Sequence, residues 1–333
     1  PYVIVGEAAA GRAFGRSLVP GEAIRISTGA PAPQGAVGVL IQEEACVEDG
    51  RLLRVQHPIP GRHLRPRAGD FAAGATLLER GRPLDPIAIA LAASSGSATL
   101  NVVKRPRTIV FAGGDEIVAP GAPARDEQVY ESGSFAICGL GERWGAYATR
   151  GAALSDDESA IASAVENALP NCDLLVLIGG ASVGDHDHAR PAMHAIGAEI
   201  LFEKVSLRPG KPTWFARRDN QIVLGLPGNP ASAFVCARLF LRPLINRLLG
   251  QDPAIACRTQ RARLSEPLAA NGPRETYLRA VMQPNKDGQL QVDCPRNQDS
   301  SLISVFASAN SLLVRAPNAS ASEAGDLVEV LVL

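Results

Sequence analysis

The sequence predicts a multidomain α/β protein, with a central parallel sheet of βαβ units, an N-terminal β domain, a partial helical linker domain and a small C-terminal β-barrel. Three observations carry this. Between residues 107 and 249, apolar runs ending in glycine pairs alternate with helical stretches, the pattern of a sheet covered on both faces. Short strand-like segments separated by Gly/Pro turns fill residues 1–63. A second series of short strands, punctuated by Asn271-Gly272 and Asp287-Gly288, fills residues 255–333.

In chain order, residues 1–63 form the first β domain, opening on Tyr2-Val3-Ile4-Val5. Its turns are Pro20-Gly21, the stretch from Gly29 to Gly35 and Pro60-Gly61, and Val37-Gly38-Val39-Leu40-Ile41 is expected as a buried strand. Strand-like sequence directly at Pro1 predicts that further residues precede it in the whole protein. Residues 64–105 form the partial linker, with a helix of about ten residues from Pro86, where proline suits the first turn, to a stop at Gly96. In the α/β domain, residues 106–250, the strands are Thr108-Ile109-Val110-Phe111, Asp173 to Ile178, and Gln221-Ile222-Val223-Leu224. Helices are expected over 132–145, over 156–168 behind an acidic, capped first turn, and over 231–249. The barrel, residues 255–333, has expected strands at 258–264, 276–282, 290–292, 311–315 and 327–333.

Composition narrows the partners. Lys plus Arg number 33 against 34 for Asp plus Glu, so no overall basic field exists to hold nucleic acid or an anionic membrane, and any anion site is local. The six cysteines form no C-x-x-C pair, as expected of buried thiols in a reducing compartment. No apolar run approaches the ~18 residues of a membrane span. A cytoplasmic protein is predicted. Neither a G-x-G-x-x-G opening a helix nor a G-x-x-x-x-G-K-[ST] is present, which disfavours a dehydrogenase or a nucleotide-dependent kinase.

Three glycine-rich turns each follow a central strand: Gly113-Gly114-Asp115-Glu116, Gly179-Gly180-Ala181-Ser182-Val183-Gly184-Asp185 and Gly225-Leu226-Pro227-Gly228-Asn229-Pro230. Such turns lie at the carboxyl edge of an open sheet, where backbone amides and helix N-termini receive anions. Lys204, Arg208 and Lys211 space three cations over eight positions, and Lys204 and Arg208 share parity if the segment is a strand. Carboxylates gather in the same turns: Asp115, Glu116, Asp156, Asp185 and Asp187, with Asp70 earlier. Cations and anions on one edge suit a metal-bridged or phosphate-cleaving site. In Asp185-His186-Asp187-His188 the ligand candidate is Asp187, the histidines reading as surface groups.

These stretches resemble the MoeA family, which includes the gephyrin E domain, over essentially the whole chain and in order. The likeness runs through Arg25-Ile26-Ser27-Thr28-Gly29-Ala30-Pro31, the stretch from Gly61 to Asp70, Gly113 to Glu116, Gln128-Val129-Tyr130, Asp156-Asp157, Gly179 to Asp187, Pro209-Gly210-Lys211-Pro212 and Gly225 to Ser232. The S-V-G-D, P-G-K-P and G-L-P-G-N-P elements are specific together. The resemblance implies the domain order above, with the α/β domain binding molybdopterin. It implies a homodimer, and a reaction in which molybdate is inserted into adenylylated molybdopterin, the adenylyl link being hydrolysed with Mg²⁺ or another divalent metal and AMP released. The adenylyltransferase that makes molybdopterin-AMP is a further expected partner.

Matched position by position, the resemblance implies Glu116, Asp187, Lys204 and Asp156 as catalytic residues. It implies Thr28, Gly113, Gly114, Asp115, Gly179, Gly180, Ser182, Gly184, Arg208, Lys211, Pro227, Gly228, Asn229, Ser300 and Ser304 as substrate-binding, and Glu116, Asp187 and Asp70 as metal ligands. The sequence departs from the family pattern at several of these places. Gly113 stands where a Thr is usual, Ile178 where a Ser is usual, Glu131 and Gly133 in place of Asp and Asn, His63 for Asn, and Arg208 for a second Lys. The family's Met-Asp-Gly-Tyr segment is absent. The alternatives are a non-catalytic molybdopterin binder, a paralogue handling tungstate, and a scaffold protein.

Overall fold

The computed structural model describes residues 2–49, 51–54, 61, 63–180 and 188–333, in two compact units, residues 1–78 and 79–333. In the first unit, β1 (Tyr2–Ala8), β2 (Glu22–Ile26), β3 (Cys46–Glu48) and β4 (Arg51–Arg54) form a sheet in the order β2-β1-β4-β3. β1 and β2 run parallel. Residues 37–41, expected as a buried strand, join no ladder, and Val37 is 60% exposed. The turn at Gly35, which adopts φ +89°, delivers the run into a loop where the Val37 carbonyl meets the Gly61 amide at 2.7 Å. An apolar run without a neighbouring strand has nothing to make it a strand.

The second unit begins with α1 (Pro86–Ser94), whose N-terminus is capped by Asp85 accepting from the Ala88 amide at 2.7 Å. The central sheet follows. Its strands are β5 (Arg107–Ala112), β8 (Tyr147–Arg150), β9 (Leu174–Ile178), β10 (Glu199–Phe202), β12 (Trp214–Arg218) and β13 (Gln221–Leu226), in the order β10-β12-β13-β9-β5-β8. Four of them, β13, β9, β5 and β8, run parallel, and β12 and β10 close one side antiparallel. β9 is buried along its whole length because both faces are covered. On one face α2 (Gly133–Arg143), α5 (Pro230–Cys236) and α6 (Arg242–Leu248) pack over Val110, Leu174, Val176 and Leu224. On the other, α3 (Glu158–Ala168) and α4 (Ala189–Ala195) cover Phe111, Leu175, Leu177 and Val223.

The helix expected over 231–249 is continuous but changes pitch: a π turn, Ala237–Leu241, joins α5 to α6. Pro243 has no amide to donate, and a wider turn ahead of it loosens the ladder where that bond is missing. Two short parallel strands, β6 (Ile117–Val118) and β7 (Val129–Tyr130), form a ribbon beyond the end of β5.

In the last part β14 (Thr259–Leu264), β15 (Glu275–Pro284), β16 (Leu290–Asp293), β17 (Ser311–Arg315) and β18 (Leu327–Val332) close into a barrel, since β15 pairs with both β16 and β17. The two-residue β11 (Leu207–Arg208) adds to β15, and α7 (Ile303–Ser308) lies before β17. Among the described residues no helix is long and apolar enough to cross a membrane.

α3 begins at Asp157, whose carboxylate accepts from the Ala160 amide at 2.7 Å. Asp157→Ala is expected to cost about 1 kcal/mol of stability. A chemical denaturation midpoint identical to wild type would show that the cap contributes nothing.

Candidate functional site

Register builds the site. Phe202 of β10 lies opposite Phe215 of β12, Trp214 opposite Gly225 of β13, Gly225 opposite Leu177 of β9, and Leu177 opposite Phe111 of β5. Because β12 runs against its parallel neighbours, it begins on the edge where β13, β9 and β5 end, and β10 ends there too. Arg150, the last residue of β8, pairs with Val110 on the same side. Segments 203–213, 226–230, 179–180, 113–116 and 151–157 therefore emerge side by side.

The glycine turns touch through their backbones. Gly113 donates to the Ile178 carbonyl at 2.9 Å and Gly179 to the Leu226 carbonyl at 3.1 Å, so the ladder continues past the strands. A β-carbon on Gly179, which adopts φ +84°, would stand 2.5 Å from the Gly113 carbonyl oxygen. One on Gly228 would lie 3.5 Å from the Gly179 α-carbon. Pro227 is buried beneath this cluster, and Asn229 gives its side-chain amide to the Ser300 hydroxyl at 3.2 Å. The Ala231 amide donates to the Ser300 carbonyl, also at 3.2 Å, so Ser300 belongs to the rim. Ser304 is exposed on α7.

The acidic side of the rim lies beyond β5 and β8. The Asp115 amide donates to the Asp156 carboxylate at 3.3 Å, and the Asp156 amide returns the bond to the Asp115 carboxylate at 3.2 Å. Glu116 is exposed, its carboxylate lying over the α-carbon of Gly114, and it makes no hydrogen bond or ion pair among the described residues. Its backbone carbonyl accepts from Val129 at 2.9 Å, which ties it into the β6–β7 ribbon.

The basic side lies around β10 and β12. Here the structure corrects one expectation: Lys204 and Arg208 do not share a strand face. β11 covers Leu207–Arg208 alone, and Lys204 sits in the preceding loop, because the segment leaves the central sheet at Phe202 to join the barrel. The loop closes through the Val205 amide on the Lys211 carbonyl at 3.0 Å. Lys204, Arg208 and Lys211 are all exposed, and their charged ends pair with no acid among the described residues. The adjacent Glu203 pairs with Arg190 at 3.4 Å.

Beneath the loop, Gly210 adopts φ +116° directly against the thiol of Cys236, and the Thr213 hydroxyl sits 3.1 Å from that sulfur. Burial pushes the Cys236 thiol up to about 12, and Cys138 and Cys172 to about 11. These thiols stay neutral in the fold, so their contribution to stability is fully present below the ordinary thiol pKa of ~8.5 and is lost as pH rises toward the folded values. A thiolate-selective reagent at pH 8 is expected to label the exposed Cys46 and Cys257 rapidly, and the buried Cys138, Cys172 and Cys236 only on unfolding. Rapid labelling of Cys236 in the native protein would contradict the packing under Gly210.

Ser182, Gly184 and Asp187 lie outside the described residues. Thr28 and Asp70 are exposed in the first unit, Thr28 in the turn after β2 and Asp70 in a bend. Among the described residues no group of three or more His, Cys, Asp or Glu side chains is arranged to hold a metal ion.

Sequence reasoning treated Glu131 only as a change of residue. It is 7% exposed and accepts from the Ser134 amide and hydroxyl, each at 2.7 Å, and from Arg150 at 3.0 Å. The available signal was Glu131 two and three residues before Gly133 and Ser134, a side-chain cap for α2.

Among the described residues the arrangement offers unpaired cations on one side, a free carboxylate on the other, and glycine backbone between them. It can receive a phosphorylated or oxyanionic ligand on the basic side and polarise it from the acidic side.

Comparison with known proteins gives this geometry a family. Residues 109–247 match the family described as probable molybdopterin binding domain, residues 3–96 the MoeA N-terminal region (domain I and II), and residues 261–333 the MoeA C-terminal region (domain IV). The chain is 30% identical to a molybdopterin molybdenumtransferase of Haemophilus influenzae over 98% of its own length and 81% of the relative's. It is 34% identical to the Nostoc protein of the same name over 83% of its own length, which spans 64% of that relative. A molybdopterin biosynthesis MoeA protein from Pyrococcus horikoshii superposes with a TM-score of 0.81 at 25% identity, covering 99% of this chain and 81% of that one.

Proposed function

From the premise that this chain belongs to the MoeA family of molybdopterin molybdenumtransferases, transferases of molybdenum cofactor biosynthesis, we propose that it inserts molybdate into adenylylated molybdopterin and releases AMP. The observation that carries the proposal is the single rim where three glycine turns meet Lys204, Arg208 and Lys211, which pair with no acid among the described residues.

The roles follow from charge and position. The rim amides of Gly180 and Gly228 and the ammonium of Lys211 hold phosphate oxygens, while Gly113, Gly114 and Gly179, whose amides are bonded to Ile178, Leu154 and Leu226, let the ligand come close to the backbone. Lys204 and Arg208 draw in the molybdate dianion. Asn229 and Ser300 brace the last turn through their mutual hydrogen bond. Asp115 and Asp156 lock the two acidic loops together. Hydrolysis of the adenylyl link consumes one water, which Glu116 and Asp187 orient, while Ser182 and Gly184 complete the middle turn. Ser304 is assigned to the substrate cleft on the family resemblance.

Mg²⁺ fits the donor chemistry. An ion that keeps most of its waters and binds through substrate phosphates needs one or two protein carboxylates, and Glu116 is free at the rim. Glu116 and Asp187 would hold it. When bound it neutralises charge on the phosphate oxygens. Chelation by EDTA is expected to stop AMP release, with added Mg²⁺ restoring it, and undiminished turnover in EDTA would remove the metal from the proposal.

The protein acts in this reading as a cytoplasmic homodimer that receives molybdopterin-AMP from an adenylyltransferase. The test is incubation with adenylylated molybdopterin, molybdate and Mg²⁺, measuring AMP and the reconstitution of an apo molybdoenzyme. Both products are expected. Tight pterin binding with no AMP would overturn the catalytic reading in favour of a carrier, and preference for tungstate would change its metal.

A further inference from the structure

We propose that Arg150 and Glu131 form a positioning pair that fixes the Glu116 loop against the Asp156 loop, a role that rests on the reaction proposed above. The argument begins with what each loop is attached to. Glu116 is followed by β6, and its carbonyl accepts from the Val129 amide at 2.9 Å. The Glu131 amide then donates to the Val118 carbonyl at 2.8 Å, so the ribbon carrying Glu116 ends at Glu131. Asp156 belongs to the loop that leaves β8 directly after Arg150.

The direct bond between the two loops is thin. It consists of the Gly114 amide on the Leu154 carbonyl at 3.1 Å and the exposed reciprocal Asp115–Asp156 contacts at 3.3 and 3.2 Å. The stronger tie is beneath. Arg150 donates through Nη2 to the Glu131 carboxylate at 3.0 Å and through Nε to the Ser134 hydroxyl at 2.7 Å. Its guanidinium also stacks on Phe135, 3.4 Å from the ring centroid. Glu131 is 7% exposed, and both its oxygens are engaged by Ser134 and Arg150.

A carboxylate satisfied in this way is not a substrate or metal ligand. It is an anchor, and a fully satisfied buried network is rigid. Removing Arg150 leaves an uncompensated buried carboxylate, which relaxes by moving toward water and takes the ribbon with it. The consequence reaches the chemistry through Glu116, since displacement of a reacting group by about 1 Å is enough to cost up to a hundredfold in rate.

The test uses the full chain with Arg150→Ala, Arg150→Lys and, as a control, Arg107→Ala, which breaks the exposed Arg107–Asp173 pair at 3.6 Å on the opposite edge of the sheet. Hydrogen exchange is the readout that does not depend on activity. In Arg150→Ala the Val129 and Glu131 amides are expected to exchange about tenfold faster or more, with the β5 and β9 amides unchanged, as for a local opening. In the AMP-release assay kcat is expected to fall roughly tenfold to a hundredfold with KM for the pterin unchanged. Arg150→Lys is expected to recover part of both effects, and Arg107→Ala to show neither.

Unchanged exchange at Val129 and Glu131, or uniformly faster exchange across the sheet, would overturn the positioning role. So would unchanged kcat in a protein whose ribbon has opened. Absence of AMP release in wild type would instead refute the proposed reaction while leaving the exchange result to judge the anchor.

Discussion

Gly225→Ala is expected to lower the melting temperature by roughly 5–10 °C and to abolish AMP release. Gly225 is an ordinary strand position in β13, with no unusual backbone angle, so conformation alone does not demand glycine. Packing does. Trp214, directly opposite on β12, is fully buried and lays its indole across the Gly225 α-carbon, where any β-carbon would overlap the ring. Among the described residues the indole N–H has no hydrogen-bond partner, so the ring is held there by packing. The added methyl drives the strands apart or the indole out, and overpacking a close-packed core costs about 1–3 kcal/mol. The effect on turnover follows from position. Trp214 is three residues past Lys211, and Leu226 leads straight into Pro227 and Gly228, so one displacement moves both the basic loop and the last glycine turn. Trp214→Leu in the same chain makes room and is expected to recover part of the stability. A Gly225→Ala protein with wild-type melting temperature would show that the ring has space the structure denies it.

That contact illustrates which parts of this fold can be read in advance. β5, β9 and β13 were legible because strands buried on both faces are uninterrupted apolar runs, and the glycines that end them are required by backbone contact at the rim. The barrel strands were legible because Asn-Gly and Asp-Gly turns separate them. β10 and β12 were not. They hold Glu199, Arg217 and Arg218 beside Phe202 and Trp214, and being at the antiparallel side of the sheet they show no clean period. Missing them hid the reason the 203–213 segment sits on the rim at all. It also left Lys204 and Arg208 on a supposed strand of their own, when the chain in fact crosses there to the barrel. Glu131 escaped for a different reason. Its partner Arg150 is 19 residues away, and only the parallel pairing of β8 with β5 brings the two together.

Glu116→Ala is expected to reduce AMP release by roughly a hundredfold or more while leaving the melting temperature where it is. The two halves of that expectation have separate causes. The side chain is exposed and makes no hydrogen bond or ion pair among the described residues, so the fold loses nothing when it goes. The reaction loses a carboxylate at the rim, opposite the unpaired Lys204 and Lys211. Gly114→Ala supplies an independent approach to the same group. Glu116 folds its carboxylate over the bare α-carbon of Gly114, which adopts φ +143°, and a methyl there collides with both carboxylate oxygens. The carboxylate is then present but displaced, so turnover is expected to fall while the pH dependence of the remaining activity stays that of wild type. Glu131→Gln marks the contrast. It leaves the rim carboxylate in place and weakens the anchor, so it is expected to lower stability as well as kcat. If Glu116→Ala turns over at the wild-type rate, Glu116 has no part in the chemistry, and the water and the metal must be held by other groups.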